Sequence, residues 1–251
     1  MSKKIQIVNV TKKKNKFIVS TNEKEYTFCE DTIIKYYIFK DKQFTEEEFE
    51  EALKAEKENS YLNQALNFIS FKTRSIKEIV DYLKSKDASR EQSEYVITKL
   101  IELGYLDDEI FSKNMLDSIM LNKKGPMVLL EKLKSKGVDE EIIKNTLSLY
   151  TIDLEEEILD DLIKSLVKKN NDQPKQKQKQ IIYNKLLRDG FTSSLVYRLV
   201  DKIEFVDESE ATLIKDIEKL KRKYPLKEDR NKIVVSLLSK GYEYRKIQEK
   251  I

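Results

Sequence analysis

LKSK stands at residues 83–86 and again at 133–136, and the two copies mark a repeat that organises most of the chain. Four residues beyond Leu133 is Gly137, and the same Leu-x-x-x-Gly step returns at Leu186–Gly190 and Leu237–Gly241. In the first copy the glycine position holds Asp87, one of the few non-glycine residues that tolerates a left-handed backbone. The anchors Leu83, Leu133, Leu186 and Leu237 are spaced by 50, 53 and 51 residues. A period of this size is the mark of repeated structural units.

The residues around each anchor read as a helix. Ile79, Leu129, Ile182 and Ile233 stand four positions before it, and Val80, Leu130, Tyr183 and Val234 three before it, which gives an apolar stripe. Lys84, Lys86, Lys134, Lys136, Arg188 and Lys240 crowd the helix end, where cations suit the dipole. Gly137, Gly190 and Gly241 then stop it in a left-handed cap. An apolar residue follows each time (Ala88, Val138, Phe191, Tyr242), and then Ser89, Asp139, Thr192 or Glu243, mostly good starts for another helix. That helix is expected to bury Val96, Ile97, Leu100 and Ile101 in the first copy, and Leu195, Val196, Leu199 and Val200 in the third. Gly104 ends it in the first copy, with Tyr105 beyond it and Asp107 placed to cap the next helix. Asp153 and Asp207 are the matching caps further on.

The expected fold is therefore mainly α, with tandem three-helix repeats in an elongated curved array behind a small β-rich N-terminal module. Residues 1–44 form the β-rich module, with strands around Ile5–Val10, Phe17–Val19 and Tyr26–Phe28. Residues 45–60 form a connecting helix opened by the capping box of Thr45-Glu-Glu-Glu. The four repeats are assigned to 61–104, 105–150, 151–205 and 206–251. Asn170–Gln173 and the following KQKQKQ read as a loop.

Composition narrows function. Among 251 residues there is no histidine and one cysteine, Cys29, which excludes an internal disulfide and the usual metal centres and general bases. No metal, cofactor or catalytic residue is expected, and acidic pairs such as Asp107–Asp108 and Asp160–Asp161 read as solvated helix faces. No segment is long enough to span a membrane, and the opening MSKKIQIV lacks the apolar run of a secretion signal, so a cytoplasmic protein is expected. Nothing suggests a dimer seam, so a monomer is expected. The net charge is only +3, so the placement of cations matters more than their number.

That placement follows the repeat. The segment ahead of each second helix holds Lys72 and Arg74, then Lys123 and Lys124, then Lys175, Lys177 and Lys179, then Lys227 and Arg230. Arg74, Lys124 and Lys177 share the position nine before the anchor, and Lys179 and Arg230 the position seven before it. Pro126, Pro174 and Pro225 fall in the same region. Stacked repeats would align these charges into a stripe suited to phosphates or to an acidic protein groove. Tyr82, Tyr95, Phe191 and Tyr242 lie on apolar faces and read as core, so no base-stacking surface is expected.

Three blocks, ALNFISFKTRSIKEIVDYLKSK at 65–86, GYLDDEIF at 104–111 and KKGPMVLLEKLKSKGV at 123–138, resemble in order and spacing the RecX regulatory proteins of bacteria. The likeness covers about residues 60–150. The later repeats match by pattern, and the β-rich start resembles the extension of longer family members. Asp87 replaces an expected glycine, and Ile110-Phe111-Ser112 stands where an Arg-Phe-Ala type segment is common. The resemblance implies a non-enzymatic modulator of the recombinase RecA that lodges on its filament on single-stranded DNA. Such a modulator restrains ATP hydrolysis, strand exchange and filament growth, and also binds DNA directly, single-stranded and double-stranded. The nine basic residues named above are then the candidate contacts, and Gly104, Tyr105, Asp107, Gly125, Pro126, Gly137, Gly190 and Gly241 are structural. The alternatives are a stand-alone DNA-binding protein of three-helix modules and a helical-repeat scaffold.

Overall fold

The computed structural model describes residues 4–206, 208–226 and 229–251. The chain falls into two compact units. One comprises Met1–Phe111 with Lys136–Asp139, the other Ser112–Ser135 with Glu140–Ile251.

The first unit opens with β1 (Lys4–Lys13), β2 (Lys16–Thr21), β3 (Glu25–Phe28), the short helix α1 (Glu30–Lys35) and β4 (Gln43–Thr45). The strands make one antiparallel sheet in the order β3-β2-β1-β4, with Lys13 opposite Lys16 and Ile5 opposite Phe44. Alternation places Ile5, Ile7, Val19 and Phe28 on the buried face. The three strands expected from the sequence are present, whereas α1 and β4 are additions. Neither is long enough to show a hydrophobic period.

Thr45 opens α2 (Glu46–Ser70) with the expected capping box: its hydroxyl accepts from the Glu48 N–H, and the Glu48 carboxylate accepts from the Thr45 N–H at 2.8 Å. The stretch expected as a connecting helix and the first helix of the first repeat are thus one continuous helix of 25 residues. Its two ends serve different cores. Phe49 and Ala52 close the sheet with Phe28 and Phe44. Ala65, with Leu62, Leu66 and Ile69, packs against α3 (Ile76–Lys84) and α4 (Arg90–Glu102) through Ile79, Leu83, Val96 and Leu100. Each fully buried aliphatic side chain contributes about 2 kcal/mol. Ile97 is only partly buried and Ile101 is exposed, so the buried face of α4 is narrower than its apolar content suggested.

The same order of three helices follows three more times: α5 (Asp108–Leu121), α6 (Pro126–Ser135), α7 (Glu140–Ser148); α8 (Ile152–Lys169), α9 (Lys175–Arg188), α10 (Ser193–Val200); α11 (Glu210–Lys223), α12 (Arg230–Ser239), α13 (Tyr244–Lys250). In the third set Leu159, Ile163, Ile182, Leu186, Phe191 and Val196 share a core, and in the fourth Leu213, Ile233, Leu237, Tyr242 and Ile247 do.

The anchor leucines are buried in every copy. Gly137, Gly190 and Gly241 adopt φ of +66°, +82° and +92°, and Asp87 joins them at +63°. The apolar residue after the turn closes it: the N–H groups of Ala88, Phe191 and Tyr242 donate to the carbonyls of Leu83, Leu186 and Leu237 at 3.2–3.3 Å. This ties the apolar position to the anchor and explains why the two recur together.

Four local expectations are corrected. KQKQKQ is helical, the start of α9, because Pro174 sets the helix entry and Gln178 is fully buried. The Gln178 amide donates to the carbonyls of Gln173 and Val206 at 2.8 and 2.7 Å. The cap of α8 is Thr151, not Asp153, which lies inside the first turn. The start of α10 is held not by the side chain of Thr192 as acceptor but by the buried Glu155, which accepts from the Thr192 N–H and hydroxyl at 2.6 and 3.0 Å. Asp108 is not on a solvated face: it is buried, and its carboxylate accepts from the Ile76 N–H at 2.9 Å. Asp107 does cap α5, accepting from the N–H groups of Glu109 and Ile110. Asp207 lies outside the described residues.

Asp87 carries a Cβ where three copies have none. Asp87→Gly should raise stability by about 1 kcal/mol, read as a higher thermal midpoint. A lower midpoint would show that the Asp87 side chain makes a contact worth more than the backbone relief.

Candidate functional site

The basic residues ahead of the second helices divide into two kinds. Arg74 and Lys124 are half-buried and committed to partners within the protein. The Arg74 guanidinium lies 4.0 Å from the centre of the Phe68 ring, which stacks in turn on Tyr82. It also reaches Glu78 at 3.5 Å. Glu78 receives Lys136 at 2.6 Å, and the Ser75 hydroxyl donates to the Lys136 carbonyl at 2.8 Å. The Cβ that Gly137 lacks would meet Lys77 at 2.1 Å. The start of α3 is thus seated against the turn at residues 136–137.

The second unit repeats this arrangement. Lys124 pairs with Asp189 at 2.7 Å, and Lys185 binds the other oxygen of the same carboxylate at 2.6 Å. The Gly125 N–H donates to the Asp189 carbonyl at 2.8 Å, and the Met127 N–H to the Gly190 carbonyl at 3.0 Å. A Cβ on Gly125 would sit 2.2 Å from the Gly190 oxygen, so the two backbones meet directly. The Tyr150 hydroxyl donates to the Lys124 carbonyl at 3.0 Å, and burial, with the charge of Glu155, pushes its pKa up to about 12. Gly241 lies beside the backbone of Lys177 in the same way, at van der Waals distance.

Two carboxylates pin these seats. Burial alone would raise the Glu78 carboxyl, but hydrogen bonds from Lys136 and the Ser75 N–H and the charges of Lys136 and Arg74 outweigh it and hold it below its ordinary value. Asp189 is held low in the same way, by Lys124 and Lys185 against its burial.

The remaining candidates face solvent or lie near it. Lys72 and Lys175 are exposed, and neither they nor the half-buried Lys177 has an ion-pair partner among the described residues. Lys123 makes a loose pair with Asp161 at 3.5 Å, both side chains exposed. Lys179 pairs with Asp201 at 2.6 Å, and the exposed Arg230 donates to Gln248 at 3.0 Å. Lys227 lies outside the described residues. The structure brings Lys175, Lys177 and Lys179 together on the opening of α9. Lys123 and Lys124 are adjacent but tied to different acids.

The sequence reading passed over a groove on α9 and α10. Gln176, Gln180 and Asn184 line it at helical spacing beside Lys179 and Tyr183, with Tyr197 from α10. The two tyrosine rings lie 4.9 Å apart at 54°, and the Tyr183 hydroxyl donates to Asp201. Tyr183 was legible only as part of the apolar stripe. Among the described residues no helix is long and apolar enough to cross a membrane, and no group of three metal-binding side chains stands together.

Comparison with known proteins agrees with the repeat and extends it. The profile of the RecX first three-helix domain matches residues 62–100. Regulatory protein RecX of Listeria monocytogenes serotype 4a (strain HCC23) is 30% identical, over 98% of this chain and 94% of its own length. The chain belongs to the RecX family. Regulatory protein RecX of Enterococcus faecalis (strain ATCC 700802 / V583) is 29% identical over 97% of this chain and 95% of its own. A crystal structure of regulatory protein RecX superposes with a TM-score of 0.63 at 23% identity, covering 79% of this chain and all of that one, which shows a shared fold. The RecX relationship therefore runs well past the 60–150 segment where the blocks are most legible, through the β-rich start and the later repeats.

Two outcomes test the seats. Gly125→Ala should destabilise the second unit by more than about 2 kcal/mol, read by denaturant unfolding, because neither backbone can yield. Glu78→Gln should cost about 2 kcal/mol at neutral pH. Since the folded Glu78 value is depressed, its contribution is full above its ordinary value of 4.5 and is lost as pH falls through the folded value. The gap between wild type and Glu78→Gln should therefore be full at neutral pH and narrow progressively as pH falls below 4.5. A gap that does not narrow on acidification would show that the carboxylate charge is not what holds the seat.

Proposed function

We propose that the chain is a non-enzymatic, cytoplasmic regulator of the recombinase RecA, acting in recombination and DNA repair. It binds the RecA filament on single-stranded DNA and restrains its ATP hydrolysis, strand exchange and growth. The observation that carries this reading is the relationship along nearly the whole chain to proteins named as RecX regulators. The physical arrangement supports it. One helical unit recurs four times, and a partner that is itself a repeating polymer can engage several units at once, so weak contacts multiply. Lys72, Lys175, Lys177 and Arg230 bring no buried carboxylate with them and are available to phosphates or to acidic walls of a protein groove.

The two kinds of cation give the proposal a sharp test. Arg74 and Lys124 are poor probes, because reversing them breaks the seats. Lys72, Lys175 and Arg230 are exposed, and the triple change to Glu should leave folding intact. Wild-type protein, titrated well below one copy per RecA, should slow ATP hydrolysis on single-stranded DNA. The triple variant should require at least about tenfold more protein for the same effect, and raising salt should weaken the wild type towards it. Unchanged hydrolysis with wild-type protein would sink the proposal. An unaltered triple variant would remove these residues from the contact.

A further inference from the structure

We propose that the α9–α10 groove of the third repeat is a binding site for unpaired nucleobases of a single strand. The groove has a volume of about 480 Å³. It combines three chemistries that a single strand requires. Tyr183 and Tyr197 offer aromatic surface, with Tyr197 47% exposed. Gln176, Gln180 and Asn184 present amides in a row, exposed and with no hydrogen-bond partner among the described residues. An amide carries both donor and acceptor, which matches the edge of a base. Along its length α9 carries five cations and no acidic side chain; Lys179, paired with Asp201, lines the groove, and Lys175 and Lys177, with no ion-pair partner among the described residues, stand at the start of the same helix.

The other three repeats serve as internal controls. At the position of Gln180 they hold Lys77, Met127 and Asn231, and at that of Asn184 they hold Asp81, Glu131 and Val235. At the position of Tyr183 they hold Val80, Leu130 and Val234, and at that of Tyr197 they hold Glu94, Lys144 and Gln248. The fold therefore asks for none of these four residues. The third repeat alone replaces a charged or aliphatic face with tyrosines and amides together. Tyr183 is also fixed in place: its hydroxyl is held by Asp201, and the Lys179 ammonium, paired with the same carboxylate, lies 5.8 Å from its ring. A ring ordered in advance loses little freedom on stacking. The ligand must be single-stranded, because a duplex hides base faces and pairs the edges that the amides would meet.

This site deepens the proposed contact with the DNA strand of the filament and rests on that reading for its biological setting, but it can be tested without RecA. Fluorescence anisotropy of the full chain would compare a labelled 20-nucleotide single strand of mixed sequence with an abasic strand of the same length and with a duplex. The base-bearing strand should bind about tenfold more tightly than the abasic one and more tightly than the duplex. Tyr197→Ala and Gln180→Ala, both at exposed positions, should abolish that preference without changing affinity for the abasic strand, and Tyr197→Phe should keep it. Lys175→Glu should weaken both strands alike. Equal binding of the two single strands, a preference retained by Tyr197→Ala, or no binding of either strand would overturn the site. The ATPase titration would still report separately on filament regulation.

Discussion

The left-handed turn after each second helix is the constraint on which the rest of the structure depends. In the first, third and fourth copies it closes its own helix, through the N–H of the apolar residue that follows and the carbonyl of the anchor leucine. It also receives the opening of a second helix from the preceding repeat, as when Gly125 and Met127 donate to the carbonyls of Asp189 and Gly190. A helix start has free N–H groups and a helix end has free carbonyls, so the meeting satisfies both. The approach is close enough that Gly125 and Gly190 leave no room for a methyl group between them. At that joint two small three-helix units meet through backbone, where geometry is least adjustable, and the buried Asp189 with its two lysines pins it, as the half-buried Glu78 with Lys136 pins the seat of α3.

The sequence disclosed what periodicity and backbone conformation can disclose. The anchor leucines, the glycine turns, the substitute Asp87 and the Thr45 capping box were all readable, because each depends on residues a few positions apart. What escaped depends on distant partners. KQKQKQ looks like a polar loop until Gln178 is seen buried beneath the carbonyls of Gln173 and Val206. Thr192 looks like a cap until Glu155, from another helix, takes the role.

The same limit governs the basic residues. Lys124 and Lys177 occupy one repeat position and are indistinguishable by spacing. Yet Lys124 is committed to Asp189, 65 positions away in the chain, while Lys177 has no ion-pair partner among the described residues. Repeat phase thus located a region and could not sort structural cations from available ones. The aromatic groove was hidden for the converse reason. Tyr183 satisfies the apolar pattern, so its departure from Val80, Leu130 and Val234 becomes meaningful only when Tyr197 is seen across from it.

The continuous helix α2 has a consequence for how the protein can change over generations. At 25 residues it is about 37 Å long, with one end built into the sheet and the other into the first three-helix core. There is no linker at which the β-rich module could be trimmed, swapped or left to move as a tethered appendage. A shorter ancestor or descendant would have to begin inside a helix, forfeit the Thr45 cap and find a new partner for Phe49. Insertions are constrained as well, since one added residue within α2 would turn one end by about 100° relative to the other and carry one of its two apolar faces away from its core.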